Sequence, residues 1–214
     1  MEHNMTDVLD YKKEYKDFYS LKTQPVLIEI PEIHFVAVEG KGDPNDKDGE
    51  YAKAMELLYA IQYTIKMSKM GDHILEGYFD YVVPPLEGLW WVDNKNDIKN
   101  KSQYIWNSII RLPEFVNDKI FKWACDTVKQ KKNLNTEKAK YLKIKEGLCV
   151  QCMHLGPFDE EPKTMKLIDS YIEKNNLLND VNKKRWHHEI YLSDPRKVEP
   201  SKLKTVLRIP VKKI

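Results

Sequence analysis

The chain has 214 residues, a length that fits one domain or two small ones, and 42% of them are hydrophobic, which is enough to bury a core. Its 35 Lys and Arg residues against 33 Asp and Glu residues give a net charge of +2. This balance provides no field that attracts nucleic acid or an anionic membrane surface. The sequence shows no signal peptide and no apolar run near the roughly 20 residues that span a bilayer, so we expect a soluble cytoplasmic protein without membrane or direct nucleic-acid partners.

The cysteines indicate neither a metal site nor a redox pair. Cys149 and Cys152 have the spacing of half a zinc site, but the run around them alternates like a strand, which points the two thiols to opposite faces. No second Cys/His pair follows at zinc-ribbon spacing. We therefore expect buried, reduced thiols, no metal ligands and no cofactor.

Hydrophobic periodicity and turn residues predict the elements in chain order. Residues 1–22 are poor in core-forming periodicity, so we expect a loosely packed arm. A lysine cluster at 129–132 indicates a solvated helix end rather than a binding patch. The predicted elements are an interrupted strand at 25–42, a helix at 48–70, strands at 86–92 and 104–112 joined by a turn at 93–97, a helix from Pro113 to about 132, a strand at 142–155, a helix at 160–175, and strands at 185–192 and 203–211.

The order strand, helix, strand, strand occurs twice, and short segments match between the two halves. Residues 108–113 (SIIRLP) resemble 205–210 (TVLRIP), and 54–58 (AMELL) resemble 164–168 (TMKLI). This predicts an α+β fold of two pseudo-symmetric βαββ repeats, with antiparallel sheets, helices on one face and a ligand cleft between the repeats. We expect an arm (1–22) and a single domain (23–214) comprising repeat one (about 25–112), an extra helix (about 113–132) and repeat two (about 140–213).

Alternation along the strand at 185–192 places His187, Glu189 and Tyr191 on one face. In the strand of the first repeat that we expect to be equivalent, Glu87 matches Glu189, so one carboxylate from each repeat is expected to reach the cleft. The alternative is that both glutamates are ordinary outward-facing residues of half-exposed strands.

Aromatic residues favour the cleft over the surface alternative. The rings cluster on the two neighbouring strands, and alternation sends Trp90 and Trp91 to opposite faces, so at least one of them fills a space other than the main core. A carboxylate bounded by rings has two uses. It can bind a planar or cationic ligand, or, with a pKa raised by desolvation, it can act as a general base or acid.

Three segments resemble the GyrI-like small-molecule-binding family, in particular its stand-alone branch without a DNA-binding domain. They are 82–91 (VVPPLEGLWW), 146–159 (EGLCVQCMHLGPFD) and 185–197 (RWHHEIYLSDPRK). The resemblance implies two βαββ repeats around a ligand cleft centred on Glu189. Some stand-alone members hydrolyse cyclopropane rings of DNA-alkylating natural products, others bind drugs as sensor domains, and one branch inhibits DNA gyrase.

The resemblance to the hydrolytic members assigns roles to particular residues. It implies Glu189 and Tyr191 as catalytic residues, with Trp91 and Trp106 as walls; Glu87, His154 and His187 complete the expected substrate-binding set. The expected function is hydrolytic detoxification of planar, cyclopropane-bearing genotoxins. The alternatives are a non-catalytic multidrug-binding or sensing module and a gyrase inhibitor. The chain lacks a helix-turn-helix arm, and Phe158 stands where a tyrosine is common in the family.

Overall fold

The computed structural model describes residues 8–19, 21–71, 74–94 and 100–214. The fold is α+β, and none of the helices in these ranges is long and apolar enough to cross a membrane. The helices are α1 (Tyr11–Glu14), α2 (Glu50–Lys66), α3 (Asp118–Lys132) and α4 (Glu161–Lys174). The strands are β1 (Val26–Lys41), β2 (Leu86–Trp91), β3 (Ile105–Arg111), β4 (Ala139–Leu155), β5 (Leu177–Asn179), β6 (His187–Tyr191) and β7 (Lys204–Lys213).

The two βαββ repeats are present and are paired in the same way. In the first repeat β1 pairs with β3 and β3 with β2; in the second, β4 pairs with β7 and β7 with β6. Equivalent strands then join the repeats, β2 to β6 and β1 to β4. These antiparallel pairings close six strands into one ring, whereas the sequence predicted two sheets side by side.

The helices α2, α3 and α4 pack against the outside of this ring. The outer face packs against α2 and α3 through residues such as Val38 and Ile110, and against α4 through Val150 and Leu207. The inner face carries the other half of each strand and includes the buried residues Phe35, Ala37 and Ile109. Period-two alternation therefore sorts each strand residue into either the helix layer or the ring interior.

Several predicted boundaries shift for local reasons. The extra helix begins at Asp118 rather than Pro113, because the Asn117 side chain accepts from the backbone N–H groups of Lys119 and Ile120 and caps the helix there. β1 is continuous: Pro31 takes no place in the ladder between Ile30 and Glu32, but the strand runs on. The short elements α1 and β5 were missed, and the predicted turn at 93–97 falls largely outside the described residues.

The expectation of a loosely packed N-terminal arm is wrong for residues 8–19. Tyr11 and Tyr19 are buried, and the guanidinium of Arg111 lies 4.4 Å from the ring centre of Tyr11. Arg208, inside the ring, donates to the carbonyl of Phe18 at 2.7 Å. The arm therefore packs against charged groups of the ring interior, which hydrophobic periodicity does not detect.

Candidate functional site

The predicted trio on β6 lies together on the outer face. Nε2 of His187 is 3.1 Å from Oε1 of Glu189, and the Tyr191 hydroxyl donates to Oε2 of Glu189 at 2.8 Å. Trp90, on the neighbouring strand, donates from Nε1 to the Tyr191 oxygen at 2.9 Å. The Glu189 side chain keeps 15% of its surface exposed. Its carboxylate is thus held in one orientation by hydrogen bonds while solvent still reaches it.

Gly88 makes this arrangement possible. It lies directly opposite Glu189 in the pairing of β2 with β6, so a side chain there would point to the same face. A Cβ at Gly88 would lie 2.6 Å from Nε1 of Trp90 and 2.9 Å from the Tyr191 oxygen. The missing side chain leaves the space in which the indole and the phenol meet.

Aromatic rings surround the carboxylate. The Tyr51 ring stacks on Trp90 at 5.7 Å between centroids and meets Trp106 edge-on at 5.1 Å. Tyr104 meets Trp90 edge-on at 5.9 Å, and Phe158 meets Tyr191 in the same way, also at 5.9 Å. These residues, with Glu189, Gly88, His187 and Glu161, form what we call the aromatic site.

A second carboxyl, that of Glu161 at the start of α4, belongs to the same site. Burial, the negative charge of Glu189 and that of Asp159 raise the pKa of Glu161 to about 9, so at neutral pH it carries a proton. Its Oε1 is shielded from solvent and has no hydrogen-bond partner among the described residues. The site therefore contains two carboxyl groups, those of Glu189 and Glu161, that interact electrostatically.

Tyr51 and Tyr191 of the site are neutral phenols. Burial raises the pKa of Tyr51 to about 12, and the charge of Glu189 adds to this effect. Burial and the Glu189 charge also raise the pKa of Tyr191 well above its ordinary value. Tyr191 therefore acts as a hydrogen-bond donor to Glu189 rather than as a phenolate.

Glu87 does not reach the aromatic site, contrary to the prediction. It pairs with Ile190 on the inner face, and its Oε2 lies 2.9 Å from Nε2 of the buried His188. The residue equivalent to Glu189 is Leu86: Leu86 pairs with Ile110 and Glu189 with Leu207, and these two match in the duplicated segments. The predicted match was one residue out of register, which moves a strand residue to the opposite face.

Glu87 instead belongs to an ionic cluster inside the ring. Glu146 lies 2.9 Å from Nδ1 of His188 and 2.7 Å from Arg208. Burial alone would raise the pKa of Glu146, but the positive charges of His188 and Arg208 outweigh it and lower the pKa to about 2. Burial would lower the pKa of His188, but Glu146 and Glu87 raise it to about 9. The cluster is thus paired and inaccessible to a ligand.

The remaining predicted site residues, Trp106, Trp91 and His154, do not face the open part of the aromatic site. Trp106 shares the face of Trp90 but is 1% exposed, packed over Gly40 as a support for the wall. Trp91 points to the other face and donates to Asp93, so Trp90 is the indole of the site. His154 is buried, with Nδ1 2.9 Å from the Thr164 hydroxyl and Nε2 3.0 Å from the Pro157 carbonyl. Both of its nitrogens are used by the protein itself.

The sequence analysis missed Tyr51, Tyr104 and Glu161 as site residues. Tyr51 lies in the predicted helix at 48–70 and Glu161 near the start of the predicted helix at 160–175, and neither was assigned to the site. The signal for Glu161 was its position just after the Gly156-Pro157 turn, which directs the start of α4 towards β6. Among the described residues, no three His, Cys, Asp or Glu side chains are grouped so as to hold a metal ion.

A more open groove lies between α2 and α3 and is lined by residues that include Glu56, Tyr59, Tyr63 and Lys132. Neither Glu189 nor Glu161 is among its lining residues. We therefore place the candidate site at the joint of β2 and β6. Two βαββ repeats with a site lined by aromatic side chains where the repeats meet define a pseudo-symmetric small-molecule-binding protein.

Comparison with known proteins gives the family. Residues 23–212 match the GyrI-like small molecule binding domain, so the chain belongs to the GyrI-like family. A crystal structure of an uncharacterized conserved protein from Listeria innocua is 50% identical with a TM-score of 0.91, covering 95% of this chain and 100% of that one. A crystal structure described as a hydrolase from Listeria innocua is 48% identical with a TM-score of 0.87 and the same coverage.

A more distant structure shares the fold alone. The C-terminal domain of EcmrR is 15% identical with a TM-score of 0.56, covering 89% of this chain and 98% of that one. The comparison with curated proteins gave no match.

Proposed function

We propose that this protein is a hydrolase that opens the strained ring of planar aromatic compounds, and that cyclopropane-bearing DNA-alkylating natural products are its substrates. The observation that carries the proposal is the pairing of an oriented carboxylate, Glu189, with a protonated carboxyl, Glu161, inside aromatic walls. The 48% identical Listeria innocua protein that is described as a hydrolase supports it.

We assign substrate binding to the aromatic side chains of the site. Trp90, Tyr104 and Phe158 offer apolar faces and edges around Glu189, which suit a flat, conjugated ligand. Phe158 is 40% exposed and stands at the rim, where a ligand enters from solvent. Stacking holds the ligand so that its strained ring faces the carboxylate, and it excludes bulk water from the reacting atoms.

The chemistry uses both carboxyls. Glu189 takes a proton from a water molecule as the water oxygen bonds to the electrophilic ring carbon. The ring C–C bond breaks, and its electron pair moves through the conjugated system to a carbonyl oxygen, which takes the proton of Glu161. The product is a ring-opened alcohol that carries a phenol or enol.

The pair returns to its starting state without a cofactor. After the reaction Glu189 holds the proton from water and Glu161 is ionised. Transfer of that proton from Glu189 to Glu161 completes the cycle, and the pair again holds one proton and one negative charge.

Tyr191 has a positioning role in this scheme. The resemblance implies a tyrosine that hydrogen-bonds the substrate, but the Tyr191 proton points to Oε2 of Glu189 and its oxygen accepts from Trp90. We assign Tyr191 to holding the carboxylate in the orientation that faces water. His187 supports the other oxygen of Glu189 from 3.1 Å.

The test is turnover of a purified cyclopropane-bearing alkylator, followed by chromatography and mass spectrometry of the ring-opened product. Wild-type protein should convert substrate in excess of its own concentration, and Glu189→Gln should lose about 10²-fold or more of the rate, typical of a general base. Glu199→Gln is the matched control, because Glu199 is exposed and pairs with Lys202. Equal rates for wild type and Glu189→Gln would refute the role of Glu189.

The second candidate, a binding module without turnover, follows from the family description. It predicts saturation at one ligand per chain, quenching of Trp90 fluorescence and recovery of unchanged ligand. The same mass-spectrometric assay therefore separates the two functions.

A further inference from the structure

We propose that the N-terminal arm clamps the two repeats together at the joint of β2 and β6, and that Tyr11 is thereby a positioning residue for the aromatic site. The described residues of the arm, 8–19, 21 and 22, precede the matched family domain, which begins at residue 23. The inference rests on the site of the proposed function, but it concerns how that site is held in place and does not require turnover.

The joint of β2 and β6 is the shorter of the two joints between the repeats. It extends over residues 87–90 of β2, whereas the joint of β1 and β4 extends over residues 26–38 of β1. A short ladder has few hydrogen bonds and opens more easily than a long one. The aromatic site lies across the short joint, because Trp90 belongs to β2 and Glu189 and Tyr191 belong to β6. Its geometry therefore depends on whatever else holds the repeats together there.

The arm is bonded to the first repeat and to the segment that follows it. The backbone N–H of Leu9 donates to the carbonyl of Asp80 at 2.9 Å, and the N–H of Val82 donates to the carbonyl of Leu9 at 2.8 Å. These bonds fix the arm to the segment that leads into β2. The Tyr11 hydroxyl donates to Oε2 of Glu114, just after β3, at 2.5 Å. The arm is thus attached beside the strands of the first repeat that border the site.

Two arginines inside the ring, one from each repeat, hold the arm between them. Arg111 of β3 and Arg208 of β7 are equivalent, because they match in the duplicated segments. The guanidinium carbon of Arg111 lies 4.4 Å from the ring centre of Tyr11 and 4.3 Å from that of Tyr15, where a cation is attracted to the rings. Arg208 donates to the carbonyl of Phe18 at 2.7 Å. The arm therefore spans this pseudo-symmetric pair and links the two repeats.

The arm also packs directly beneath the site. Tyr11 and Tyr19 are buried in one cluster with Ile190, on the inner face of β6. Ile190 lies between Glu189 and Tyr191, whose side chains point to the outer face. Because β6 has only five residues, a displacement of Ile190 shifts both of its neighbours. Contacts of the arm inside the ring are in this way passed to the carboxylate and the phenol of the site.

The test is amide hydrogen exchange of the full-length protein, followed by mass spectrometry of peptides that cover each joint. In Tyr11→Ala the joint of β2 and β6 should exchange about tenfold faster than in wild type, or more. The reason is that the hydrogen bond to a charged group and the ring contact with Arg111 are both lost. Exchange in the joint of β1 and β4 should keep the wild-type rate, because that ladder is long enough to stay closed.

Steady-state kinetics on the cyclopropane substrate give a second measurement. Tyr11→Ala should lower kcat by about tenfold or more, because Glu189 is misplaced relative to the substrate. KM should change little, because the aromatic side chains that bind the substrate remain.

Three further variants complete the experiment. Tyr11→Phe keeps the ring against Arg111 and should exchange at a rate between those of wild type and Tyr11→Ala. Lys13→Ala is the matched control, because Lys13 belongs to the same arm and is exposed, and it should exchange like wild type. If Tyr11→Ala does not fold, Tyr15→Ala removes the second ring from Arg111 and should show the same pattern. Thermal unfolding of each variant shows that the chain is folded.

Three results would overturn the inference: equal acceleration of exchange in both joints, an unchanged rate at the joint of β2 and β6, or, in an active hydrolase, an unchanged kcat of Tyr11→Ala. These are distinct from failure of the proposed function. A protein that hydrolyses no cyclopropane but shows the selective acceleration retains the inference. An active hydrolase in which Tyr11→Ala exchanges like wild type loses it.

Discussion

Gly88→Ala is the sharpest test of how the aromatic site is built. The added Cβ would lie 2.6 Å from Nε1 and 3.1 Å from Cε2 of Trp90, and 2.9 Å from the Tyr191 oxygen. These separations are shorter than van der Waals contact, so the indole and the phenol must move apart. The hydrogen bond of 2.9 Å between them is then broken.

Two effects set the expected size of the change. Overpacking a buried position costs about 1–3 kcal/mol, and the lost hydrogen bond about 0.5–1.5 kcal/mol. We therefore expect the free energy of unfolding to fall by roughly 2 kcal/mol, after partial relaxation. Because a displacement of about 1 Å at a catalytic group costs about 10²-fold in rate, kcat/KM should fall by that order while the protein remains folded.

Urea unfolding and steady-state kinetics on the cyclopropane substrate measure both quantities. Gly71→Ala is the matched control, because a Cβ there meets only the Ser68 carbonyl oxygen, at 3.7 Å, and should change neither. If Gly88→Ala kept the wild-type kcat/KM and the wild-type unfolding free energy, the contact of Trp90 with Tyr191 would have no role in the site.

Other predictions follow from the same geometry. Tyr191→Phe removes the partner of Oε2 of Glu189 and the acceptor of the Trp90 N–H, so kcat should fall about tenfold or more with KM little changed in steady-state kinetics. Trp90→Phe should weaken binding of an aromatic ligand in fluorescence titrations, whereas Trp91→Phe should not; the reverse order would contradict the assigned face. The raised pKa of His188 means that its pairing stabilises the fold fully below pH 6.5, and that this contribution is lost as the pH rises through about 9. Urea unfolding across this range should show the loss in wild type and not in His188→Gln; parallel profiles would count against the pairing.

The sequence predicted those parts of the molecule that depend on local periodicity. Alternation grouped His187, Glu189 and Tyr191 correctly, because β6 is short and regular and has no bulge. The duplication predicted the two βαββ repeats, since residues 108–111 lie in β3 and the matching residues 205–208 lie in β7. Closure of the ring depends on pairing between β1 and β4, which no local pattern records.

The wrong site predictions have two physical causes: the strand register, which was matched one residue out, and the burial of charged residues, which the sequence did not indicate. Matching Glu87 to Glu189 rather than Leu86 to Glu189 is a slip of one residue, and it exchanges the outer face for the ring interior. Glu161 was not predicted as a site residue; acids are common at helix starts, where they interact favourably with the helix dipole. Its burial beside Glu189 depends on how α4 packs against the ring, which is a tertiary effect.

In the proposed reaction, Glu189 directs water onto the strained ring of an aromatic substrate. A single-turnover reaction in ¹⁸O-labelled water tests it most directly, with wild type and Glu189→Gln both saturated with the same cyclopropane-bearing alkylator. Wild type should rapidly form a ring-opened alcohol with one ¹⁸O atom, and Glu189→Gln should form it about 10²-fold more slowly at unchanged binding affinity. Unchanged substrate recovered from the wild type, or equal rates for the two proteins, would contradict it.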